Sequence, residues 1–557
     1  MNGLMMDCPL VIPSILKRAT RYFPEKEIVS RYEDESIHRS NYGQLHARVV
    51  RLMNVLRDLG IKPGDRVATF AWNHRRHLEL YFAVPCLGAV LHTVNLRLHR
   101  EQLRYIFNHA QDRVIFADRS LAGLLAGLKP ELPAVERYIL MDERGPEPAD
   151  LPTPWVDYEQ LMEAASDREE FPKFDENTAA GLCYTSGTTG EPKGVLYSHR
   201  STYLHAICGC MVDTSAVSER ETLLPVVPMF HVNAWGLPYS SALAGATQVF
   251  PGPLVLDRPL AELLEAERVT IAVGIPLIWN RLYQYLKENR HDLSRLHTLF
   301  VGGAAAPRTL IEGFAHDFGI NVVQGWGMTE TSPVGTVSRL KSAMSDWTET
   351  ERLKVQVKQG VPVVTFETRI LDENEQDLPW DGHHVGELVV QGPWVASAYY
   401  ENPGADAAFT KDGWFRTGDM ATMDERGYMQ IADRKKDLIK RKGEWISSVD
   451  MENEALVHPG VLEAAVVGRP DEACDELPVL FFVTRNEFAA TVEIEDIIAL
   501  LGRKFARWQL PKPEDVRHVP TLPKTSVGKI DKKALRLLLP CPPLKAQTTC
   551  NAHSQAP

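Results

Sequence analysis

Apolar residues recur at helical spacing near the start of this chain, and short apolar runs follow them. In 41–60, leucine and valine side chains fall every three or four residues, and Gly60 comes directly after the last of them. This spacing predicts an amphipathic helix that ends at the glycine. The following pattern predicts a strand at 66–72 and a buried helix at 78–89.

Short runs rich in β-branched and aromatic residues continue the alternation. They predict strands at 113–117, 138–141, 247–250, 270–274 and 298–301, with helices at 259–267 and 278–288 between them. Strands that alternate with helices indicate parallel sheets covered by helices, so the predicted fold class is α/β. Ligands bind at the carboxyl ends of such strands. The glycines at 302–303 and 325–327 both follow strand-like runs, and we expect a nucleotide there.

The pattern changes in the last third of the chain. From residue 365 the predicted strands are shorter and separated by turns, which indicates a β-rich subdomain at about 365–432. A run of charged residues at 433–437 is typical of a solvated linker. Periodicity is lost again after residue 540, and 541–557 is predicted to be a disordered tail.

Length and composition limit the class of protein. A chain of 557 residues exceeds one hydrophobic core, so two to four domains or subdomains are expected. No apolar run is long enough for a transmembrane helix, and the N-terminus does not resemble a signal peptide. The net charge of −12 argues against a nucleic-acid-binding surface. The eight cysteines form no CxxC pair, so they predict reduced thiols and a cytoplasmic location.

The densest chemical signal is the run Tyr-Thr-Ser-Gly-Thr-Thr-Gly-Glu-Pro-Lys-Gly at 184–194. Its glycines allow close backbone approach to a ligand, and its hydroxyl and N–H groups can donate to anionic oxygens. Lys193 adds a positive charge, so the run suits a polyphosphate. A Walker A motif is excluded because Pro192 precedes the lysine and Gly194 follows it.

This run resembles the signature loop of the acyl-adenylate-forming (AMP-binding) superfamily, and further motifs occur in the family's order. They are Pro-Met-Phe-His-Val-Asn-Ala-Trp-Gly (228–236), Gly-Gly-Ala-Ala-Ala-Pro (302–307), Gln-Gly-Trp-Gly-Met-Thr-Glu-Thr (324–331), Arg-Thr-Gly-Asp (416–419), Asp-Arg-Lys-Lys-Asp-Leu-Ile-Lys (433–440) and Pro-Lys-Thr-Ser-Val-Gly-Lys (523–529). The segment Gly-Glu-Trp-Ile-Ser at 443–447 is similar to medium- and long-chain fatty acid–CoA ligases. In those ligases Gly-Gly precedes Glu-Trp, whereas in this chain Lys442-Gly443 precedes Glu-Trp.

The resemblance implies a domain organisation and a reaction. It implies an N-terminal AMP-binding and acid-binding domain at 1–432, a hinge at 433–438, and a small mobile α+β domain at 439–540. A carboxylate attacks the α-phosphate of ATP to give acyl-AMP and pyrophosphate, and the thiol of coenzyme A then displaces AMP. The implied partners are a small carboxylic acid, ATP with Mg²⁺, and coenzyme A. Relatives commonly dimerise through the N-terminal domain, so a homodimer is expected.

The resemblance also assigns roles to residues. The catalytic residues would be Lys529, which bridges the carboxylate and the α-phosphate, Glu330 and His231. Magnesium would be held by Thr185 and Glu330. The nucleotide would contact Thr185, Ser186, Gly187, Thr188, Thr189, Gly190, Lys193, Gly303, Ala304, Gln324, Gly325, Trp326, Gly327, Met328, Thr329, Asp419 and Arg434, with Asp419 and Arg434 on the ribose. The hinge and coenzyme A region would comprise Lys436, Lys440, Lys442, Gly443, Glu444 and Trp445.

The acid would bind near residues of the 228–236 motif and the glycine-rich turns. The implied acid-site residues are His231, Trp235, Gly302, Trp326 and Pro333, with Trp235 gating an apolar tunnel. Binding free energy in such a tunnel grows by about 0.8 kcal/mol per buried CH₂. Trp326 shortens the space near the carboxylate, which favours a medium-chain fatty acid.

Other functions are compatible with parts of this pattern. Ligases for the short sulfur-containing acid 3-methylmercaptopropionate share the tryptophans and the histidine. A luciferase-like oxygenase shares the adenylation half, but the 443–447 segment disfavours it. A non-catalytic nucleotide-binding homologue is disfavoured because Lys193, Glu330, Asp419 and Lys529 are all present.

Overall fold

The computed structural model describes residues 1, 3–141, 155–185, 191–402, 404–441, 444–471, 474–485, 492–525 and 528–539. The chain divides into two compact units. The first unit comprises Met1–Ala432 and the short segment Thr525–Lys529, and the second comprises Asp433–Lys524 and the part that starts at Ile530. Within the described ranges, every helix is too short or too polar to cross a membrane. The predicted tail at 541–557 lies outside the described residues.

The first unit contains two large sheets and a smaller one. The described strands of one sheet run in the order Trp155–Asp157, Arg137–Leu140, Val114–Ala117, Arg66–Phe70, Val90–Thr93, Ala179–Tyr184 and Gly194–Ser198. Those of the other run in the order Val361–Pro362, Val334–Val337, Asn321–Gly327, Thr298–Val301, Ile271–Gly274, Thr222–Pro225, Thr247–Phe250, Glu27–Arg31 and Ile37–Asn41. Most neighbouring strands pair in parallel. Antiparallel pairs occur at one end of the first sheet and at both ends of the second. The largely parallel, helix-covered sheets confirm the predicted α/β class.

Helices cover these sheets. In the first unit they are Ile12–Tyr22, Tyr42–Asp58, Arg75–Cys86, Arg100–Ala110, Arg119–Ala126, Tyr158–Ala164, His199–Cys210, Val232–Trp235, Leu237–Ala244, Asp257–Ala266, Pro276–Glu288, Arg308–Phe318 and Glu349–Gln356. The helix predicted from the leucine spacing begins at a capping box, in which Asn41 and Gln44 bond each other's backbone N–H. Its periodic side chains are buried, as that pattern predicts.

The helix predicted at 78–89 begins and ends earlier than its sequence pattern indicates. It spans Arg75–Cys86, and Gly88 then turns the chain at φ +83° into the strand Val90–Thr93. All twelve of its residues are buried, including charged ones at its start. A helix buried on every side has no apolar stripe to mark its first turn, so hydrophobic spacing could not locate that boundary.

A four-stranded antiparallel sheet occupies the stretch that the sequence marked as β-rich. Its strands are Glu367–Leu371, Gly386–Gln391, Phe415–Met423 and Met429–Arg434, in that order. The long strand Phe415–Met423 alternates buried and half-buried residues along its whole length. This alternation is the mark of a sheet with one buried face, and it places Asp419 on that face.

The second unit has its own sheet and core. The sheet contains Glu444–Ile446, Ile439–Arg441, Asp475–Thr484 and Val461–Asp471, with Val516–His518 beside Asp475–Thr484. Its helices are Ser448–Ala455, Ile494–Leu501 and Lys532–Leu537. Ala464 and Val466 enter one hydrophobic cluster, whereas Ala465 and Val467 enter another. Helices therefore cover both faces of this sheet.

Candidate active site

A β-hairpin presents the glycine- and hydroxyl-rich loop. Strands Ala179–Tyr184 and Gly194–Ser198 pair antiparallel, with Tyr184 opposite Gly194. Thr185 N–H donates to the Lys193 carbonyl (2.9 Å), and Lys193 N–H donates to Thr185 Oγ1 (3.2 Å). The two ends of the loop are therefore fastened to each other. Between them, Ser186, Gly187, Thr188, Thr189 and Gly190 lie outside the described residues, so their phosphate contacts stay predictions.

Glu330 and the hairpin residue Lys193 both contact Tyr399. It sits in the short 3₁₀ turn Thr329–Thr331 and is 5% exposed. The Tyr399 hydroxyl donates to Glu330 Oε1 at 2.6 Å, and Lys193 Nζ lies 4.8 Å from the centroid of the Tyr399 ring. Two residues predicted for the metal and the phosphates thus share Tyr399. No motif in the sequence had singled out this tyrosine.

The donor chemistry of the predicted metal ligands fits magnesium. Glu330 offers a carboxylate and Thr185 a hydroxyl, and Mg²⁺ prefers oxygen ligands of this kind. Few protein ligands are needed because Mg²⁺ keeps several waters and binds substrate phosphates. The burial of Glu330 limits competition from bulk water for its carboxylate.

The carboxylate predicted for the ribose is oriented by an indole. Trp326 Nε1–H donates to Asp419 Oδ2 at 2.9 Å, and Asp419 is 2% exposed. The Trp326 ring packs edge-on against Phe366, with 6.5 Å between ring centroids. A buried carboxylate needs such donors because desolvation disfavours its charge. Trp326 and Asp419, which come from two separate sequence motifs, are therefore hydrogen-bonded to each other.

The strand Asn321–Gly327 and the turn after it form a closely packed wall. Gly325, Trp326 and Gly327 lie within the end of this strand, not after it as the sequence pattern indicated. A Cβ on Gly327 would lie 1.7 Å from the Pro333 carbonyl oxygen, so only glycine fits. Met328 N–H donates to that same carbonyl (3.2 Å). The polypeptide backbone, not a side chain, sets the shape of this wall.

Two further members of the predicted nucleotide set are held by hydrogen bonds. The Gln324 side-chain amide donates to the carbonyls of Val357 (2.7 Å) and Lys358 (2.9 Å), and its oxygen accepts from Ala306 N–H. Gln324 is fully buried, so its amide fixes neighbouring backbone. The Thr329 carbonyl accepts from the Tyr197 hydroxyl at 2.7 Å.

The segment after His231 adopts a left-handed turn. Val232, Asn233, Ala234 and Trp235 have φ between +46° and +56°, and Gly236 follows at +72°. Consecutive left-handed residues other than glycine are strongly disfavoured, each costing about 1–2 kcal/mol. The surrounding packing must hold this turn, and strain of this kind concentrates at functional sites.

Buried polar groups line the inner side of the turn. Asn233 Oδ1 accepts from Thr93 Oγ1 (3.4 Å) and the Tyr81 hydroxyl (3.5 Å). The Asn233 carbonyl accepts from Gly236 N–H at 2.9 Å. The His205 ring lies 2.5 Å from where a Cβ on Gly236 would be, so residue 236 must be glycine. Trp235 is half-buried and packs against neighbouring apolar side chains.

The Trp235 indole rests on the turn that follows the strand Thr298–Val301. A Cβ on Gly302 would lie 2.6 Å from Trp235 Cη2. Gly303, next in the chain, has φ +78° and is exposed, as is Ala304. Glycine at 302 therefore leaves the room that the Trp235 indole occupies beside this backbone. The predicted acid-site residues Trp235 and Gly302 are thus in contact.

Lys529 joins the same group of residues within the first unit. Its segment closes on itself, with Thr525 N–H donating to the Lys529 carbonyl (2.7 Å) and Lys529 N–H donating to Thr525 Oγ1 (3.2 Å). Lys529 Cε lies 3.5 Å from where a Cβ on Gly303 would be. Burial, followed by the charges of Lys529 and Arg97, lowers the pKa of His231 to about 3. His231 is therefore neutral at pH 7.

The predicted hinge and coenzyme A residues belong to the second unit. Arg434 N–H donates to Asp433 Oδ1 at 2.7 Å, and Lys436 is exposed. Lys440 and Trp445 are cross-strand neighbours, with Lys440 Nζ 5.5 Å from the indole centroid. Both side chains are exposed. Lys442, Gly443 and the side chain of Glu444 lie outside the described residues.

Comparison with known proteins gives matches along nearly the whole chain. The family model "AMP-binding enzyme" matches residues 16–400, and "AMP-binding enzyme C-terminal domain" matches residues 450–529. A long-chain-fatty-acid–CoA ligase of Thermus thermophilus is 45% identical over 533 residues, which cover 96% of each chain. A 3-methylmercaptopropionyl-CoA ligase of Ruegeria lacuscaerulensis is 44% identical over 537 residues, 96% of this chain and 98% of that protein.

A solved structure has the same fold. The anthranilate CoA ligase AuaEII, in complex with anthranoyl-AMP, superimposes with a TM-score of 0.86 over 97% of this chain and 99% of its own. Its sequence identity to this chain is 23%, so the likeness concerns the fold.

The contact between residues 302 and 235 can be tested by substitution. Gly302→Ala places a methyl group where the Trp235 indole lies, so we expect the KM for the carboxylic acid to rise about tenfold or more. The Gly302→Ala/Trp235→Ala double variant removes the clash. Steady-state kinetics should then show no additional effect of the alanine at 302. An unchanged KM in Gly302→Ala would contradict the contact. So would an equal rise in KM when alanine is introduced at 302 in the unsubstituted protein and in Trp235→Ala.

Proposed function

This chain belongs to the AMP-binding enzyme family, and we propose that it is an AMP-forming fatty acid–CoA ligase with a preference for a medium-chain acid. The observation that carries the proposal is the grouping of Lys529, Gly303 and His231 beside the contact between Trp235 and Gly302. It brings together residues predicted to act in catalysis, to contact the nucleotide and to bind the acid. The identification of the superfamily and of the enzyme class is confirmed by the family models and relatives.

Activation is needed because a carboxylate is a poor electrophile. In the first step, a carboxylate oxygen of the acid forms a bond to the α-phosphorus of ATP, and the bond from that phosphorus to pyrophosphate breaks. In the second step, the sulfur of coenzyme A bonds to the acyl carbon, AMP leaves with the former carboxylate oxygen, and the thiol proton is released. The protein contributes mainly positioning and electrostatic stabilisation to such transfers.

Residues of the first unit divide this task. Lys193, fastened at the base of the hairpin loop, would offset charge on the departing pyrophosphate. Asp419, oriented by Trp326, would accept hydrogen bonds from the ribose hydroxyls. Lys529 would lie between the carboxylate and the α-phosphate. Magnesium, held by Glu330 and Thr185, would supply further charge neutralisation on the phosphate oxygens.

Two aromatic side chains predicted for the acid site, His231 and Trp235, are uncharged. His231 carries no charge at neutral pH, and Trp235 lies against backbone. Neither residue offers a charged partner for an amino group on the substrate. An alkyl chain is therefore the chemistry that this side of the site favours.

A second candidate is a ligase for 3-methylmercaptopropionate. A relative named for that reaction is 44% identical to this chain, close to the value for the fatty acid–CoA ligase. The two functions share every step and differ only in the acid. Coenzyme A as acceptor, magnesium, a homodimer and a cytoplasmic location belong to both proposals.

The acid can be identified from an activity series. Coenzyme A-dependent AMP release should be measured with straight-chain acids of three to sixteen carbons and with 3-methylmercaptopropionate. We expect kcat/KM to rise up to about fourfold per added CH₂ until the chain fills the site, with the maximum at medium length. A maximum at 3-methylmercaptopropionate would select the second candidate. AMP release without consumption of coenzyme A would exclude the ligase, and no turnover would favour a non-catalytic homologue.

Lys529 can be tested by separating the two half-reactions. In Lys529→Ala, acid-dependent exchange of labelled pyrophosphate into ATP should fall by about 10²–10³, because a charge aimed at the reacting phosphate is lost. Conversion of preformed acyl-AMP to the thioester should continue. Lys524→Ala is a matched control, because Lys524 Nζ pairs with Glu463 at 2.7 Å. Normal exchange in Lys529→Ala, or equal loss in both lysine variants, would contradict this role.

A further inference from the structure

A short segment, residues 396–400, lies against two separate parts of the nucleotide site. At one end, Ala396 N–H donates to the backbone carbonyl of Glu330 at 2.8 Å. At the other end, Tyr400 N–H donates to the carbonyl of Gly194, also at 2.8 Å. The segment therefore bridges the turn that carries Glu330 and the strand that begins directly after Lys193.

Close packing fixes the second of these contacts. A Cβ on Gly194 would lie 3.1 Å from the Cβ of Tyr400, so glycine allows the two backbones to approach. The Tyr400 ring meets the ring of His109 edge-on, at 5.6 Å between centroids. The backbone at both ends of the segment is thus docked independently of the side chain of Tyr399.

The Tyr399 side chain meets both charges of the site. Its hydroxyl donates to Glu330 Oε1 at 2.6 Å, a charge-assisted hydrogen bond of the stronger class. Its ring faces Lys193 Nζ at 4.8 Å from the centroid, within the range of a cation–π interaction.

A tyrosine suits this place for a physical reason. A carboxylate and an ammonium group near each other attract, and a direct pair would withdraw both from a ligand. The edge of the tyrosine offers a hydroxyl to the anion, while its face offers π-electron density to the cation. Each charge therefore has its own partner, and each can be held in one orientation. Magnesium needs such order because it demands nearly ideal octahedral geometry.

We propose that Tyr399 is a positioning residue that holds the Glu330 carboxylate for Mg²⁺ and the Lys193 ammonium group for the triphosphate of ATP. The inference rests on the proposed function, because it takes ATP with magnesium as the ligand. It deepens that function by assigning two separable effects to one side chain. The hydroxyl acts on the metal-dependent part of ATP binding, and the ring acts on the metal-independent part.

Two substitutions separate these effects. Tyr399→Phe removes the hydroxyl and keeps the ring, whereas Tyr399→Leu removes both. Tyr400→Phe is the matched control, because the contacts of Tyr400 with the site are made by its backbone. ATP affinity should be measured by titration calorimetry on the full chain, once with excess EDTA and once with saturating Mg²⁺. Thermal unfolding of each variant shows whether the fold is retained.

The expected results differ between the two variants. Tyr399→Phe should bind ATP normally in EDTA. The increase in ATP affinity that Mg²⁺ produces should be about tenfold smaller than in the unsubstituted protein, as for a lost hydrogen bond to a charged group. Tyr399→Leu should lose the same gain and also bind ATP about two- to fivefold more weakly in EDTA, because the cation–π contact is gone. Tyr400→Phe should match the unsubstituted protein in both titrations.

Other outcomes would overturn the proposal. An unchanged magnesium gain in Tyr399→Phe would remove the hydroxyl's role. If Tyr399→Phe weakens ATP binding equally with and without Mg²⁺ and also lowers the unfolding temperature, Tyr399 has only a structural role. Failure of the proposed function is distinguishable, because the unsubstituted protein would then release no AMP with any acid. That result would overturn the ligase, whereas the ATP titrations of the variants test the role of Tyr399 separately.

Discussion

Adenylate formation brings two anions, a carboxylate and a triphosphate, to a single point, and this electrostatic constraint accounts for most of the site. Two like charges about 4 Å apart repel by about 4 kcal/mol near a protein surface and by more where water is excluded. A protein with a net charge of −12 must therefore concentrate cations locally. Lys193 stands at the base of a closed hairpin loop, and Lys529 reaches the same unit from 336 residues further along the chain.

The second constraint is space, and the backbone meets it more than side chains do. Glycines at 302, 236 and 327 stand where any Cβ would collide with an indole, an imidazole or a carbonyl. The left-handed turn at Val232–Trp235 stores strain, which buried contacts such as those of Asn233 with Thr93 and Tyr81 must offset. A rigid backbone wall of this kind fixes where an acyl group and a nucleotide can meet. If the proposed function holds, we expect selectivity for the acid to depend on small changes of shape near Trp235.

Much of this organisation is visible in the sequence. Helical spacing located the helix Tyr42–Asp58 within two residues at each end, and short β-branched runs located the parallel strands. The motif residues Trp235 and Gly302, or Trp326 and Asp419, were predicted for the site, and the structure brings each pair into contact. Such pairings depend on tertiary packing across long stretches of chain. Sequence spacing carries no information about them.

Other features gave no readable signal. Tyr399 is one tyrosine in a segment without periodicity, and its importance appears only when Glu330 and Lys193 are seen on either side of it. The sequence does not predict the left-handed turn either, because valine, alanine and tryptophan have no preference for positive φ. The helix Arg75–Cys86 lacks an apolar stripe because it is buried on all sides. In each case the three-dimensional environment overrides local preference.

In the proposed reaction, a carboxylate oxygen of the acid attacks the α-phosphorus of ATP. The most direct test supplies a fatty acid labelled with ¹⁸O in its carboxylate, together with ATP and coenzyme A, and examines the products by mass spectrometry. AMP should carry one labelled oxygen, and pyrophosphate should carry none. Label in pyrophosphate or inorganic phosphate, or turnover that yields only unlabelled AMP, would contradict it.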